Sequence, residues 1–442
     1  MQVIKSKGSS WINIVFFLYL FSAILEKFKW NIFGWGCDLF TLNTVLIFFV
    51  LSVYCLCTDK LIIITTTEKK ILKYFVFLLC YMFLQFFFLE HSSVILVQYL
   101  KGIIALILQI IAIYNFILII NIKGNSFNFR YVSRCLYIIT VINACYCLIQ
   151  NFYPNVDEIL VRIFHSDVSR WGVDSYGPFG RVTGFLLESN FNAAFLLIGL
   201  INEISLIRQN LNNKNKKIRI LILFTCLTFF EFIWTFSRTA YLGFAVALIY
   251  YFIKASRKIK KRIILCGIVL LVFFIFIFVT VPSFEEVIRV RFSFLFGDTS
   301  ISQDSHFHIL VEAIQIYTKD LRTIIFGVGT NCLSNYYGRF FGYTLMKAHN
   351  YYMQILCEVG LIGFILLVYY LVALWKSARA NTHKDIAYRV MFVATIFTNF
   401  TYDPFCRNYN LILILFATTL TMNVIERQST DSSVKLVTKC SC

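Results

Sequence analysis

Three short stretches of an otherwise apolar chain carry groups that can do chemistry. Arg181 stands in Gly180-Arg181-Val182-Thr183-Gly184, with Glu188, Asn190 and Asn192 following closely. Ser237 and Arg238 fill a tight connection between two apolar runs, and His349 with Asn350 opens another run that carries Glu358 about two helical turns later. Ionisable groups in or beside a bilayer are costly unless they face a cavity or a partner. A guanidinium suits an anion, and an imidazole titrates near neutral pH, so these groups at one depth point to a site. Each has a plainer reading when taken singly. An arginine at a span boundary serves as an interfacial anchor, and a histidine at a loop end serves structure. Glu231, two turns before Arg238 on the same helical face, offers that arginine a buried partner.

What must position these residues is a membrane bundle. The chain has 442 residues, 59% hydrophobic and 14% charged, with only 4 Pro and a mean hydropathy of +0.73. Soluble domains carry about 25% charged and about 45–50% apolar residues. Lipid is therefore the main solvent, and disordered, collagenous and small disulfide-framework chains are excluded. Many of the 14 Cys, Cys55, Cys80 and Cys147 among them, sit inside apolar runs where a thiol acts as a small hydrophobe. No Cys-x-x-Cys pair with matching His marks a metal site. The 41 basic residues outnumber 23 acidic ones, a net +18, but they cluster in short gaps between apolar runs. That is the positive-inside pattern of cytoplasmic loops, not a nucleic-acid surface.

Apolar runs near 11–25, 39–57, 74–89, 102–121, 135–153, 184–206, 220–236, 239–253, 263–281, 351–375, 390–402 and 409–425 predict an all-α polytopic protein. It would have about twelve transmembrane helices in a single integral membrane domain, 1–442. Lys5 and Lys7 precede the first run like a secretory signal, but no small-x-small site precedes Glu26 and Lys27, so the run reads as an uncleaved anchor. The basic loops 208–219 and 254–262 must face the cytoplasm. Both termini then lie inside, and Arg181, Arg238 and His349 meet the outer boundary. Around residues 26–38 this orientation leaves Lys27 and Lys29 outside. Two outer segments, 154–183 and 282–350, are too long and polar for turns. In the first, Asn155 is expected to cap a helix with Asp157 and Glu158 in its first turn and Ile159, Leu160, Ile163 and Phe164 on one stripe. In the second, Ser283 and Glu286 form a capping-box pattern, and Leu310, Ala313, Ile314, Tyr317 and Leu321 repeat at helical spacing. Both helices are expected on the membrane surface.

The segment from Gly180 to Asn192, Thr235-Phe236-Ser237-Arg238-Thr239-Ala240, Gly327-Val328-Gly329, and Ala348-His349-Asn350-Tyr351 through Glu358-Val359-Gly360-Leu361-Ile362-Gly363 resemble, in order and topology, the O-antigen ligase and polymerase superfamily. The likeness is closest to an O-antigen or capsular repeat-unit polymerase and covers residues 175 to 375. It implies an enzyme of the plasma (inner) membrane whose extracytoplasmic site transfers a glycan from a polyprenyl diphosphate to a sugar hydroxyl. Arg181 and Arg238 would bind the diphosphate, because guanidinium forks match phosphate oxygens. His349 would be the general base, with Gly180, Asn190, Ser237, Asn350 and Glu358 in support. The reaction would be inverting, with no cofactor and no metal; neither a Gly-rich phosphate loop nor an Asp-x-Asp pair is present. Implied partners are the polyprenyl-diphosphate-linked glycan, membrane lipid, a chain-length regulator and a flippase, and no nucleic acid.

The chain departs from the family's pattern in two places. Glu188-Ser189-Asn190 stands where Asn-Pro-Asn is common, which carries over only Asn190. An Arg common before a Trp in the large outer loop is replaced by His306 or His308, with Leu310 at the Trp position. Arg170, Arg289, Arg291, Arg322 and Arg339 are either further sugar or phosphate contacts or solvated loop residues. Glu358 either orients the site or caps packing. The leading expectation is polymerisation of lipid-linked repeat units. The alternative with the same chemistry is a ligase moving finished glycan to lipid A core. A transporter or flippase of lipid-linked glycans would show broken helices at mid-membrane and internal repeats, and the sequence shows no internal Pro in any span and no repeats. A scaffold explains the hydropathy but not the polar cluster.

Overall fold

The protein is described by a computed structural model that covers residues 10–32, 35–58, 62–90, 92–124, 127–153, 155–164, 175–176, 179–211, 218–280, 306–343, 348–378, 382–400 and 412–420. The fold is helical, with two short antiparallel hairpins. Helix α1 (Ser10–Ser22) leads to the hairpin β1 (Lys29–Ile32) and β2 (Trp35–Asp38), then to α2 (Leu39–Cys57), α3 (Thr66–Gln85), α4 (Ser93–Lys123), α5 (Phe129–Phe152) and the short α6 (Val156–Ile163). After the hairpin β3 (Ser175–Tyr176) and β4 (Phe179–Gly180) come α7 (Ser189–Leu211), α8 (Ile218–Trp234), α9 (Arg238–Lys254) and α10 (Arg257–Thr280). Three short helices, α11 (His306–Tyr317), α12 (Leu321–Phe326) and α13 (Leu333–Phe341), precede α14 (Tyr351–Ser377) and α15 (His383–Thr398).

Six helices among the described residues, Leu39–Cys57, Thr66–Phe88, Ser93–Lys123, Phe129–Phe152, Ser189–Asn210 and Tyr351–Ser377, are long and apolar enough to cross a membrane. The expected runs at 220–236 and 239–253 fall on helices of 17 residues. Helix patterning shows which solvent each face meets. On α2, Thr44, Ile47, Leu51 and Cys55 are buried, while Leu46, Phe49, Val53 and Leu56 are exposed. A stripe of that size facing water would be unstable, whereas lipid solvates it. Inside, polar side chains tie helices together: Tyr19 meets Thr44 at 3.0 Å, and Asn115 donates to the Thr44 carbonyl at 2.8 Å. Asn202 of α7 donates to the Ser133 carbonyl of α5 at 2.7 Å. Without a hydrophobic drive between helices in lipid, such bonds and close packing hold the bundle.

Helix α14 is broken. Gly360 has φ 69° and ψ −171° inside it, so the carbonyls before the break lose their helical partners. The Gly327-Val328-Gly329 turn supplies replacements: Val328 N donates to Cys357 O at 2.8 Å and Gly329 N to Glu358 O at 3.0 Å. From α3, Gln85 Nε2 donates to Glu358 O at 2.7 Å and Tyr81 to Val359 O at 3.0 Å. The sequence offered no proline to signal this interruption. A β-carbon at Gly360 would lie 2.3 Å from Ile325 O and 2.7 Å from Gly327 N. Gly360→Ala therefore adds a backbone clash to a penalty of about 1–3 kcal/mol for a side chain in this nearly glycine-only conformation. The expected result is a markedly lower melting temperature of the detergent-solubilised protein; an unchanged melt would show that the break is not required.

The two segments expected outside the membrane differ from expectation in detail. Asn155 makes no capping hydrogen bond to α6; Asp157 is drawn instead to Lys27, at 2.6 Å. That pairing also accounts for a basic residue in the 26–38 region, since a buried ammonium needs a partner more than it obeys a loop-charge trend. Ile159, Ile163 and Phe164 of α6 are exposed. The repeat from Leu310 to Leu321 does not form one helix: α11 stops at Tyr317, and Asp320 caps α12 by accepting from Thr323 N at 2.6 Å. The buried stripe of α11 is Ile309, Ala313 and Ile316, while Ile314 and Leu321 are exposed. Ser283 and Glu286 lie outside the described residues.

Candidate active site

Arg181 follows β4 and is carried on a segment suspended from α5. Gln150 accepts from Gly184 N at 2.8 Å, Asn143 accepts from Phe185 N at 3.0 Å, and Asn143 Nδ2 donates to Asn192 at 2.7 Å. Lys27 donates to Asp157 at 2.6 Å and to Thr183 at 2.8 Å, and Asp157 also accepts from Tyr146 and from Gln150 at 3.0 Å. So anchored, Arg181 is only 9% exposed. Its Nε donates to the Thr235 carbonyl at 2.8 Å and its Nη2 to Asn190 Oδ1 at 2.7 Å. Arg181 therefore joins the start of α7 to the corner between α8 and α9.

That corner is sharp. Phe236 has φ 48°, a left-handed conformation that a non-glycine residue adopts only when its surroundings enforce it. Ser237 caps α9 by accepting from Ala240 N, and Arg238, the first residue of the helix, is exposed. Glu231 is fully buried on α8, and its hydrogen-bond donor is Asn151 of α5 at 3.2 Å. The buried partner that spacing offered to Arg238 is thus engaged with another helix.

His349 occupies a second enforced bend, with φ 50°. Asn350 caps α14 by accepting from Met353 N at 3.0 Å, and its Nδ2 donates to Phe400 O at 2.7 Å. Tyr351 N donates to Asn399 O at 3.0 Å. The end of α15 therefore receives the His349 turn. The same end reaches the other two stretches, since Thr398 lines a small cleft with Asn190, Ser237, Thr239 and Ala240. Close approach of α9 and α15 makes this possible, because Gly243 leaves room for the Thr398 methyl group.

Gly180, Arg181, Asn190, Ser237, Arg238, His349 and Asn350 are thereby gathered at one end of the bundle, with residues 398–400 as the common link. Glu358 is set apart. It lies two turns along α14, 8% exposed, and accepts from Gln354 at 2.7 Å, which itself accepts from Ala348 N at 2.7 Å. Among the other candidates, Arg339 pairs with Glu90 at 2.6 Å, and that guanidinium holds the Glu90 carboxyl below the usual carboxylate range. His308 meets Glu312 at 3.2 Å, and Arg322 is exposed on α12. Arg170, Arg289 and Arg291 lie outside the described residues, as does the side chain of His306.

Sequence reasoning missed the supporting set: Lys27, Asn143, Gln150, Asp157 and Thr398. Asn143 and Gln150 are spaced by two helical turns in an apolar run, a signal for a polar stripe facing a partner. Lys27 and Asp157 carried no such signal. Asp157→Asn would leave the Lys27 ammonium buried without its counter-charge, a loss of about 3–5 kcal/mol for a broken buried pair. A lowered melting temperature with impaired function is the expected outcome; retention of both would show that Lys27 does not depend on Asp157.

A guanidinium can bind an anion and an imidazole can accept a proton, so these corners carry the groups that such chemistry needs. No curated protein matches the chain significantly. Residues 222–368 match the family model described as O-antigen ligase, a stretch that contains Arg238, His349 and Glu358 while Arg181 and Asn190 precede it. That stretch, about a third of the chain, supports a likeness to the O-antigen ligase and polymerase superfamily.

Proposed function

We propose that the protein is a membrane glycosyltransferase that polymerises polyprenyl-diphosphate-linked repeat units of O-antigen or capsular polysaccharide. The observation that carries this reading is the meeting of the Arg181, Arg238 and His349 stretches at the end of α15. In the proposed reaction His349 takes the proton of an acceptor hydroxyl, whose oxygen attacks the anomeric carbon. The bond from that carbon to the diphosphate oxygen breaks, and the electron pair leaves on the diphosphate, with inversion. Arg238 presents its fork to the departing charge. Arg181, committed through Nε and Nη2 to Thr235 and Asn190, shapes the pocket and adds positive charge beside the same anion. Basic loops at the opposite ends of α7, α8, α9 and α10 support a cytoplasmic location for those ends and an extracytoplasmic site in the plasma membrane.

Purified protein given lipid-linked repeat units and no other acceptor tests the reading. A ladder of lengthened products is the expected result. Transfer that occurs only when a separate acceptor such as lipid A core is added would make the protein a ligase. The broken α14 favours a transporter more than the sequence did, since transporters bind cargo at such breaks. Here the freed carbonyls are taken by Val328, Gly329, Gln85 and Tyr81, which leaves them unavailable to a transported ion.

A further inference from the structure

A second compartment lies beside the gathered residues. A cavity of about 500 Å³ opens between α3, α4 and α14, reaching the start of α2 and roofed by Thr330 and Asn331 of the turn after α12. Its walls present Lys101 and Gln109 from α4 and Gln354 and Glu358 from α14. Tyr74 and Tyr370, stacked at 4.6 Å, also line it. The volume lies within the ~300–1,000 Å³ typical of small-molecule pockets, which leaves room for a short oligosaccharide. Lys101 and Gln109 present polar ends to this space, which suit hydroxyl and acidic groups better than an acyl or prenyl tail.

Lys101 decides the charge of the occupant. Lys101 and Glu358 both line the cavity, yet they do not pair: Glu358 accepts from Gln354, and among the described residues Lys101 has no ion-pair or hydrogen-bond partner. An ammonium without a counter-charge beside lipid is costly, and an anionic ligand would offset that cost. Shared residues also tie the compartment to the gathered end of the bundle. Tyr351 lines it while its backbone bonds to Asn399, and Gln354 lines it while accepting from Ala348, the residue before His349.

We propose that this cavity is a saccharide subsite that selects glycans bearing a carboxylate or phosphate group, with Lys101 as the residue that reads the charge. The assignment rests on the glycosyl-transfer reading above for its place in a reaction, though not for binding itself. Binding is measured on the full-length protein in phosphatidylcholine nanodiscs with trigalacturonic acid and with maltotriose, a neutral trisaccharide of the same length. Trigalacturonic acid is expected to bind at least ~10-fold more tightly. Lys101→Gln should abolish that preference, Lys101→Arg should keep it, and Ala105→Trp, which fills the cavity, should remove binding of both sugars without lowering the melting temperature. Ala105 lines the same space.

Equal affinity of native protein for both sugars, no binding of either, a preference that survives Lys101→Gln, or binding that survives Ala105→Trp would each overturn the proposal. Nanodiscs containing phosphatidylglycerol separate a sugar-borne anion from a lipid headgroup: displacement of trigalacturonic acid by that lipid would assign the cation to lipid and overturn the saccharide subsite. The His349→Asn variant keeps the two readings distinct. Should it retain transfer while Lys101→Gln loses acid preference, the transfer assignment fails and the subsite stands.

Discussion

Arg238→Ala is expected to lower glycan transfer by about 10²–10³-fold, the loss typical of removing one preorganised donor from a developing negative charge. The side chain is exposed at the first residue of α9, so its removal leaves the core packing intact and the melting temperature near that of the native chain. Capping by Ser237 does not depend on it. Arg238→Lys retains a point charge but not the planar fork, and should recover only part of the rate. Arg181 behaves differently. Because its guanidinium is buried on Thr235 and Asn190, Arg181→Met should lower both activity and stability, the latter by about 1–3 kcal/mol for partners left unsatisfied. The measurement is transfer rate against thermal melt for the two variants side by side. Full activity in Arg238→Ala would remove this residue from the proposed diphosphate site.

His349→Asn is expected to cost about 10²–10⁴ in transfer rate, the usual contribution of a positioned general base. Asparagine is the appropriate replacement because His349 sits at φ 50°, and Asn enters the left-handed region more readily than Ala. The turn, and with it the Asn350 cap and its bond to Phe400, should persist. In native protein a base must be neutral to act, so transfer should fall on acidification. The asparagine variant should lose that acid limb along with the rate. A variant that stays slow but keeps the same acid limb would assign the proton transfer to another group.

Much of this molecule is legible before any coordinates. Hydropathy identifies lipid as the solvent, and helices stand at nearly every apolar run within the described residues because each spanning segment must satisfy its own backbone. The identity of the polar residues is equally legible: Arg181, Asn190, Ser237, Arg238, His349 and Asn350 are conspicuous because their surroundings are apolar. Other features were invisible. The break at Gly360 has no proline to announce it, and its stability depends on a turn some thirty residues away whose amides fill the vacated hydrogen bonds. Asp157 looked like a helix-dipole residue and became a counter-ion, because a lysine in a distant loop was buried beside it. The stripe on α11 shifted by a residue once its neighbour became α14 and not a membrane surface.

Transfer of a segment from water to lipid depends on that segment alone, so the linear chain settled the solvent, the helical class and the inventory of groups able to do chemistry. Neighbour choice does not. Which arginine would be sheathed by protein and which would stand open, which carboxylate would meet which cation, and whether three remote stretches would converge on residues 398–400 were settled by helix packing, because these pairings join groups that lie far apart along the chain.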